Sequence, residues 1–200
     1  MIKLLLASLL VLAAGAQAAT VVVDTGAPDG KPVGALAFDS FDWVAAQVSF
    51  AQASRIDTIQ GHILGGVSGE TFDISLYSSD GGAGPASLIF TTTATFGADG
   101  WNGVSGLSGW SVAAGQYWIE FEIQGDDTLG SNSVTGALVD LGAPHPLPLT
   151  ASTPDAGFTY QDSPLSFGLR VSTVPEPESV ALMLAGLALL STRGLARRQR

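Results

Sequence analysis

The stretch Gln116–Gln124, QYWIEFEIQ, carries the strongest pattern in a chain of 200 residues. Tyr117, Ile119, Phe121 and Ile123 alternate with Trp118, Glu120, Glu122 and Gln124. A half-buried strand produces this period of two, because successive side chains leave opposite faces of the pleat. A helix would instead group apolar residues at spacings of three and four. The stretch therefore predicts one face towards a core and one towards water.

The same period recurs outward along the chain. DWVAAQVSF sets Val44, Ala46, Val48 and Phe50 against Ala45, Gln47 and Ser49. TFDISLY sets Phe72, Ile74 and Leu76 against Thr71, Asp73, Ser75 and Tyr77. RIDTIQGHIL places Ile59, Gly61 and Ile63 together, and LSFGLRVS turns Phe167, Leu169 and Val171 inward. TVVVD, SLIFTTTATF, GWSV and SVTGALVD read as strands from their β-branched and aromatic content. Between them DTGAPDGKPVG, SSDGGAGP, GADGWNGVSGLSG and LGAPHPLPLTASTPDAG read as loops, punctuated by Gly and Pro. That is eight to ten short antiparallel strands with no amphipathic helix among them. The expected fold is all-β: an antiparallel β-sandwich of jelly-roll type, with a closed barrel as the alternative. No fixed-period repeat points to a propeller or solenoid.

Residues 1–18, MIKLLLASLLVLAAGAQA, read as a secretory signal peptide. Lys3 forms a short basic start, an apolar run follows, and Ala16-Gln17-Ala18 supplies the small-x-small pattern before cleavage. The expected partners at this end are the Sec machinery and signal peptidase. The chain has no cysteine, so it offers no thiol nucleophile, thiolate metal site or disulfide. Between Thr20 and Val174 three cations, Lys31, Arg55 and Arg170, stand against sixteen acidic residues. A body this acidic cannot displace counterions from a phosphate backbone, so nucleic acid is excluded as a partner.

The other end reads VPEPESVALMLAGLALLSTRGLARRQR. The apolar run from Val180 to Thr192 would span roughly 20 Å as a helix, against about 30 Å for a bilayer core. Arg193, Arg197, Arg198 and Arg200 form a basic stop that stays cytoplasmic. The expected result is a short transmembrane helix suited to transient retention in the inner membrane. Pro175 and Pro177 hold the preceding residues extended, a backbone that a processing enzyme can grip.

Pro175-Glu176-Pro177, the apolar helix with Gly186-Leu187 at its centre, and the Arg197-Arg198 end together resemble the PEP-CTERM sorting signal. The resemblance covers about 27 residues and departs from the pattern in the early Arg193-Gly194 break. It implies a protein exported by a Gram-negative, biofilm-forming bacterium and processed near the PEP motif by exosortase, a membrane-embedded cysteine-type transpeptidase. It further implies a place at the cell surface or in the extracellular matrix. FDWVAAQVSF, TFDISLYSSDGG, AAGQYWIEFEI and FGLRVSTVPEP also resemble domains found ahead of this signal, which implies only an exterior β-sandwich. The expected organisation is a signal peptide over 1–18, a β-sandwich over 19–173 and the sorting signal over 174–200.

Within the body the expected role is non-enzymatic, structural or adhesive, in the exopolysaccharide of a biofilm. A carbohydrate-binding module is the alternative and a secreted hydrolase the third reading. Trp101, Trp110 and Trp118 are the candidate sugar platform, although a cross-strand packing role accounts equally for Trp118. Glu120 and Glu122 stand about 7 Å apart along one strand face, within the range of paired glycosidase carboxylates. Alternate glutamates are also the ordinary dress of a solvent face. Asp24, Asp29, Asp39 and Asp42 are candidate calcium ligands, and turn formation explains the same residues. His62 and His145 lack zinc spacing, and no G-x-S-x-G elbow supports a serine triad.

Overall fold

The computed structural model describes residues 19–29, 34–162 and 164–174. The expected signal peptide, the Pro175–Pro177 motif, the short terminal helix and its arginines lie outside the described residues. The body spans Val21–Thr173 as one compact unit. Among the described residues no helix is long and apolar enough to cross a membrane.

Among the described residues there are thirteen strands: β1 (Thr20–Asp24), β2 (Ala35–Phe38), β3 (Trp43–Phe50), β4 (Ser54–Leu64), β5 (Thr71–Ser78), β6 (Leu88–Thr95), β7 (Gly100–Ser105), β8 (Ser111–Val112), β9 (Gly115–Glu122), β10 (Ala137–Asp140), β11 (Thr150–Thr153), β12 (Gln161–Asp162) and β13 (Leu169–Val174). They form two sheets packed as a sandwich. One has the order β1-β13-β4-β10-β2, with β7 and β8 also paired to the long β4. The other has the order β12-β11-β3-β9-β5-β6. β9 is held on both sides, by β3 through Val44↔Phe121 and by β5 through Ile74↔Phe121.

The predicted inward residues meet between the sheets. Val44, Val48, Ile59, Ile63, Phe72, Ile74, Leu76, Ile119, Phe121 and Leu169 are all buried in one cluster. Each large side chain so buried contributes about 1.5–3 kcal/mol relative to exposure. Phe121 lies at the centre, tilted against Phe72 and edge-on to Phe167. A Cβ at Gly61 would come within 2.8 Å of the Phe121 ring, so glycine permits the approach of the two sheets there.

The structure adds strands where the sequence reads as loop. GADGWNGVSGLSG contains β7, whose Gly103 allows close pairing: a Cβ there would collide with the Ile59 carbonyl oxygen. Gly103 thus serves strand contact, whereas Gly106 and Gly109, both at positive φ, lie in the loop after the strand. The proline-rich stretch contains β11, because Pro148 and Pro154 bracket Thr150–Thr153 without interrupting it. β11 then pairs with β3 through Thr150↔Ala46 to Thr153↔Trp43. β2, four residues with no polar alternation, is likewise revealed only by its pairing with β10.

Candidate functional site: a buried carboxylate layer

The outer face of β9 is not the wet surface that the alternation predicts. Trp118, Glu120 and Glu122 point away from the main core, yet each is fully buried. The reason is a third layer. Ala45 of β3 and Ala151 of β11 flank Trp118, and Tyr77, Leu149 and Tyr160 pack over the group. Leu149 and Tyr160 come from the segments on either side of β11, the strand hidden in the proline-rich stretch. The loop after β5 completes the cover: a Cβ at Gly84 would come within 2.5 Å of the Tyr160 ring, so only glycine admits that ring.

Strand register sets the chemistry of this layer. Glu120 lies between Ser75 of β5 and Ala45 of β3, and Glu122 lies opposite Asp73. The Tyr160 hydroxyl donates to Glu120 Oε2 at 2.9 Å. The Tyr77 hydroxyl donates to Glu122 Oε1 at 2.8 Å, and Gln124 Nε2 donates to Glu122 Oε2 at 2.7 Å. Glu122 thus has a donor on each oxygen. Glu120 has one donor, and its Oε1 has none among the described residues; the Trp118 Nε1–H likewise has no acceptor there.

This asymmetry decides where the proton sits. Burial, with the charge of Glu122 beside it, pushes the Glu120 carboxyl up to about 9. Burial also raises Glu122, opposed by the hydrogen bonds from Tyr77 and Ser75. The two tyrosines are driven well above the usual phenol range by burial and by the glutamates they face. At neutral pH Glu120 therefore holds a proton as a neutral acid beside Glu122, and both tyrosines remain donors. A paired acid and carboxylate is the equipment of a glycosidase, but these two face a sealed protein layer.

A cleft of about 360 Å³ beside Gln124 is lined by Thr71, Asp73, Thr93, Gln124, Asp126 and Asp127. Gln124 is the wall between the cleft and the layer, since its amide reaches both Glu122 and, at 3.5 Å, Asp73. Burial raises the Asp127 carboxyl, and Asp73 and Asp126 add to the effect.

The three candidate tryptophans do not form one platform. Trp118 is fully buried in the outer layer. Trp110 is 6% exposed and stacks on Phe90 at 5.2 Å inside the main core. Trp101 sits on β7, opposite His62 of β4 and edge-on to its ring, with the Arg170 guanidinium 3.9 Å above the indole. Trp101 thus belongs to the other sheet, and its face already holds a cation. The three indoles are covered to different extents: Trp118 by the segments that carry Leu149 and Tyr160, Trp110 by Phe90 of β6, while Trp101 stays partly exposed.

The candidate calcium ligands are likewise separated by their local duties. Asp24 accepts from the Gly26 N–H at 2.9 Å and pairs with Arg170 at 3.2 Å. Asp39 accepts from the Phe41 and Asp42 N–H groups, so it shapes a turn. Asp29 is exposed. Among the described residues no three acidic or histidine side chains converge as a metal site.

His62 Nδ1 lies 3.1 Å from Asp140 Oδ2, a contact between β4 and β10 that sequence spacing could not reveal. Its Nε2 lies towards Gly100, where a serine triad would need a hydroxyl. His145 is exposed, in the loop whose backbone N–H donates to the Thr25 carbonyl.

Comparison with known families finds one match. Residues 173–200 match the PEP-CTERM protein-sorting motif. The match begins inside β13, whose last residue is Val174, so the motif follows the body with no linker in the sequence. No curated protein matches the chain. The sorting motif at the C terminus marks an exported protein directed to the cell surface by exosortase.

Proposed function

We propose that this chain is a non-enzymatic structural or adhesive component of an extracellular polymeric matrix, delivered there by its C-terminal signal. The observation that carries this reading is the sorting motif at residues 173–200, set against a body whose paired glutamates are sealed from solvent. A signal peptide over 1–18 delivers the chain to the Sec machinery. The terminal apolar segment retains it transiently in the inner membrane, and exosortase cuts near Pro175–Pro177. Intact mass of the protein from an exosortase-bearing host tests the sorting step. A species ending near the motif is expected; a membrane-held species retaining Arg200 overturns it.

A second reading, carbohydrate binding, is favoured by the cleft beside Gln124. Its carboxylates, amide and threonine hydroxyls are the groups that hydrogen-bond sugar hydroxyls. A polysaccharide pull-down with Asp73→Asn and Asp127→Asn separates the two readings. Binding lost in both variants supports the sugar module. Binding absent from the parent leaves the scaffold role alone.

A further inference from the structure

β6 ends the six-stranded sheet, and among the described residues no strand pairs with its outer edge. Its pairing with β5 fixes which backbone groups are spent. The Phe96 N–H donates to the Glu70 carbonyl at 2.7 Å. Antiparallel ladders alternate bonded and non-bonded pairs, so the register from Thr71↔Thr95 to Ser75↔Thr91 commits Ala94 and Thr92 to β5. The N–H and C=O groups of Thr91, Thr93 and Thr95 then point to the open edge. Their side chains are exposed as well. The register shifts at Leu76/Tyr77, which ends the regular edge near Phe90 and leaves Thr93 at its centre.

Natural sheets guard such edges with lysine, proline or inward charge. This edge has none. Residues 81–98, GGAGPASLIFTTTATFGA, carry no charge, within a body of sixteen acidic residues and three basic ones. Leu88 and Ile89, at the start of the strand, are 54% and 39% exposed.

We propose that β6 is a self-pairing edge, through which a second copy of this chain adds antiparallel about a twofold axis at Thr93. The symmetry matches the sequence: Thr93 faces Thr93, and Thr91 faces Thr95 on either side. Threonine opposite threonine is a favourable cross-strand pair, and the interface is isologous and closed. The uncharged window keeps carboxylates off both paired strands; the nearest in register, Asp73, stands opposite Thr93 on β5, one strand behind the seam in each copy. Self-pairing joins the two six-stranded sheets into one and requires neither cleavage nor sugar binding.

The chain has no cysteine, so single cysteines report the contact directly. Opposed antiparallel residues fall within disulfide reach, about 4.4–6.8 Å between Cα atoms. The full chain bearing Thr93→Cys, exported in its host and treated with a mild oxidant, is expected to run as a dimer of twice its mass on a non-reducing gel. Val134→Cys, fully exposed in the loop between β9 and β10 and off the edge strand, is the control and is expected to cross-link several-fold less. Adding Thr91→Pro removes an edge N–H that the β5 register leaves unbonded among the described residues, and it is expected to abolish the Thr93→Cys dimer. Equal cross-linking at Thr93 and Val134, a dimer indifferent to Thr91→Pro, or capture of a chain of another mass would each overturn self-pairing.

Discussion

Two groups of glutamates are buried in this molecule, and their surroundings settle their charge in opposite ways. Glu70 is 4% exposed, ahead of β5. Its Oε2 accepts from the N–H groups of Val67 and Gly130, each at 2.8 Å, and its Oε1 from the N–H and side-chain amide of Asn132 at 2.9 and 3.0 Å. Burial alone would raise this carboxyl, but the donors outweigh burial and hold it below the ordinary value. Glu120, with one donor for two oxygens, goes the other way. Burial alone does not decide whether a carboxyl ionises; the donors built around it and the charges beside it act with or against burial. Glu70 is a charged clamp between two loops, and Glu120 is a neutral member of a packed layer.

The largest expected effect breaks the clamp. Glu70→Ala strands the Val67, Gly130 and Asn132 donors and should cost about 3 kcal/mol, read as a lower urea midpoint at unchanged m. Glu70→Gln should cost nearly as much, because its NH2 would confront N–H groups. Glu120→Gln should be tolerated at neutral pH, since an amide keeps the acceptor for Tyr160 and resembles the neutral acid. Equal losses in the two glutamine variants would show that both sites are charged, and the contrast would fail.

The pH dependence sharpens the same contrast. Glu120 binds its proton more tightly in the folded chain, so between its ordinary value of 4.5 and about 9 folding takes up a proton. Stability from this group is then greatest in acid and falls as pH rises, by up to about 1.4 kcal/mol per unit. Glu120→Gln removes that slope, so the variant should match the parent near pH 4 and exceed it at pH 8 to 9 in thermal melts. Glu70 has the reverse sign: its contribution is present above the ordinary carboxylate value and fades as pH falls through its lowered one. Glu70→Gln should therefore flatten only the acid limb.

The inner face of this sandwich was legible because it obeys one rule. Val44, Phe72, Ile119 and Leu169 fall where a period of two places them. The outer layer was not legible, because the same rule assigns Trp118, Glu120 and Glu122 to solvent. Trp118 and Glu120 are covered by Tyr160, some forty residues later in sequence and brought in by a strand that its flanking prolines conceal, while Glu122 is held by Tyr77 and Gln124. Periodicity reports which face a side chain leaves by, and not whether a distant loop returns to cover that face. Glu70 left no sequence signal either, as its donors are mostly backbone groups placed by a loop sixty residues away. The sorting motif was legible in full, since proline, hydrophobic length and a basic end act locally.

The smallest expected effect tests the layer from its cover. Tyr160→Phe deletes the one donor to Glu120 among the described residues and keeps the ring against Gly84, so packing is preserved and the loss should be about 1 kcal/mol. That loss should not be constant. A neutral acid needs the donor little, while a carboxylate needs it strongly, so Tyr160→Phe should cost more at pH 9 than at pH 5. The removed donor also favours the proton, pushing Glu120 further up. In the Glu120→Gln background the pH dependence of the Tyr160→Phe cost should vanish, and a double-mutant cycle at the two pH values measures this directly. A coupling equal at both would mean that the hydroxyl bonds a group whose charge never changes, and Glu120 would then differ from Glu70 in geometry alone.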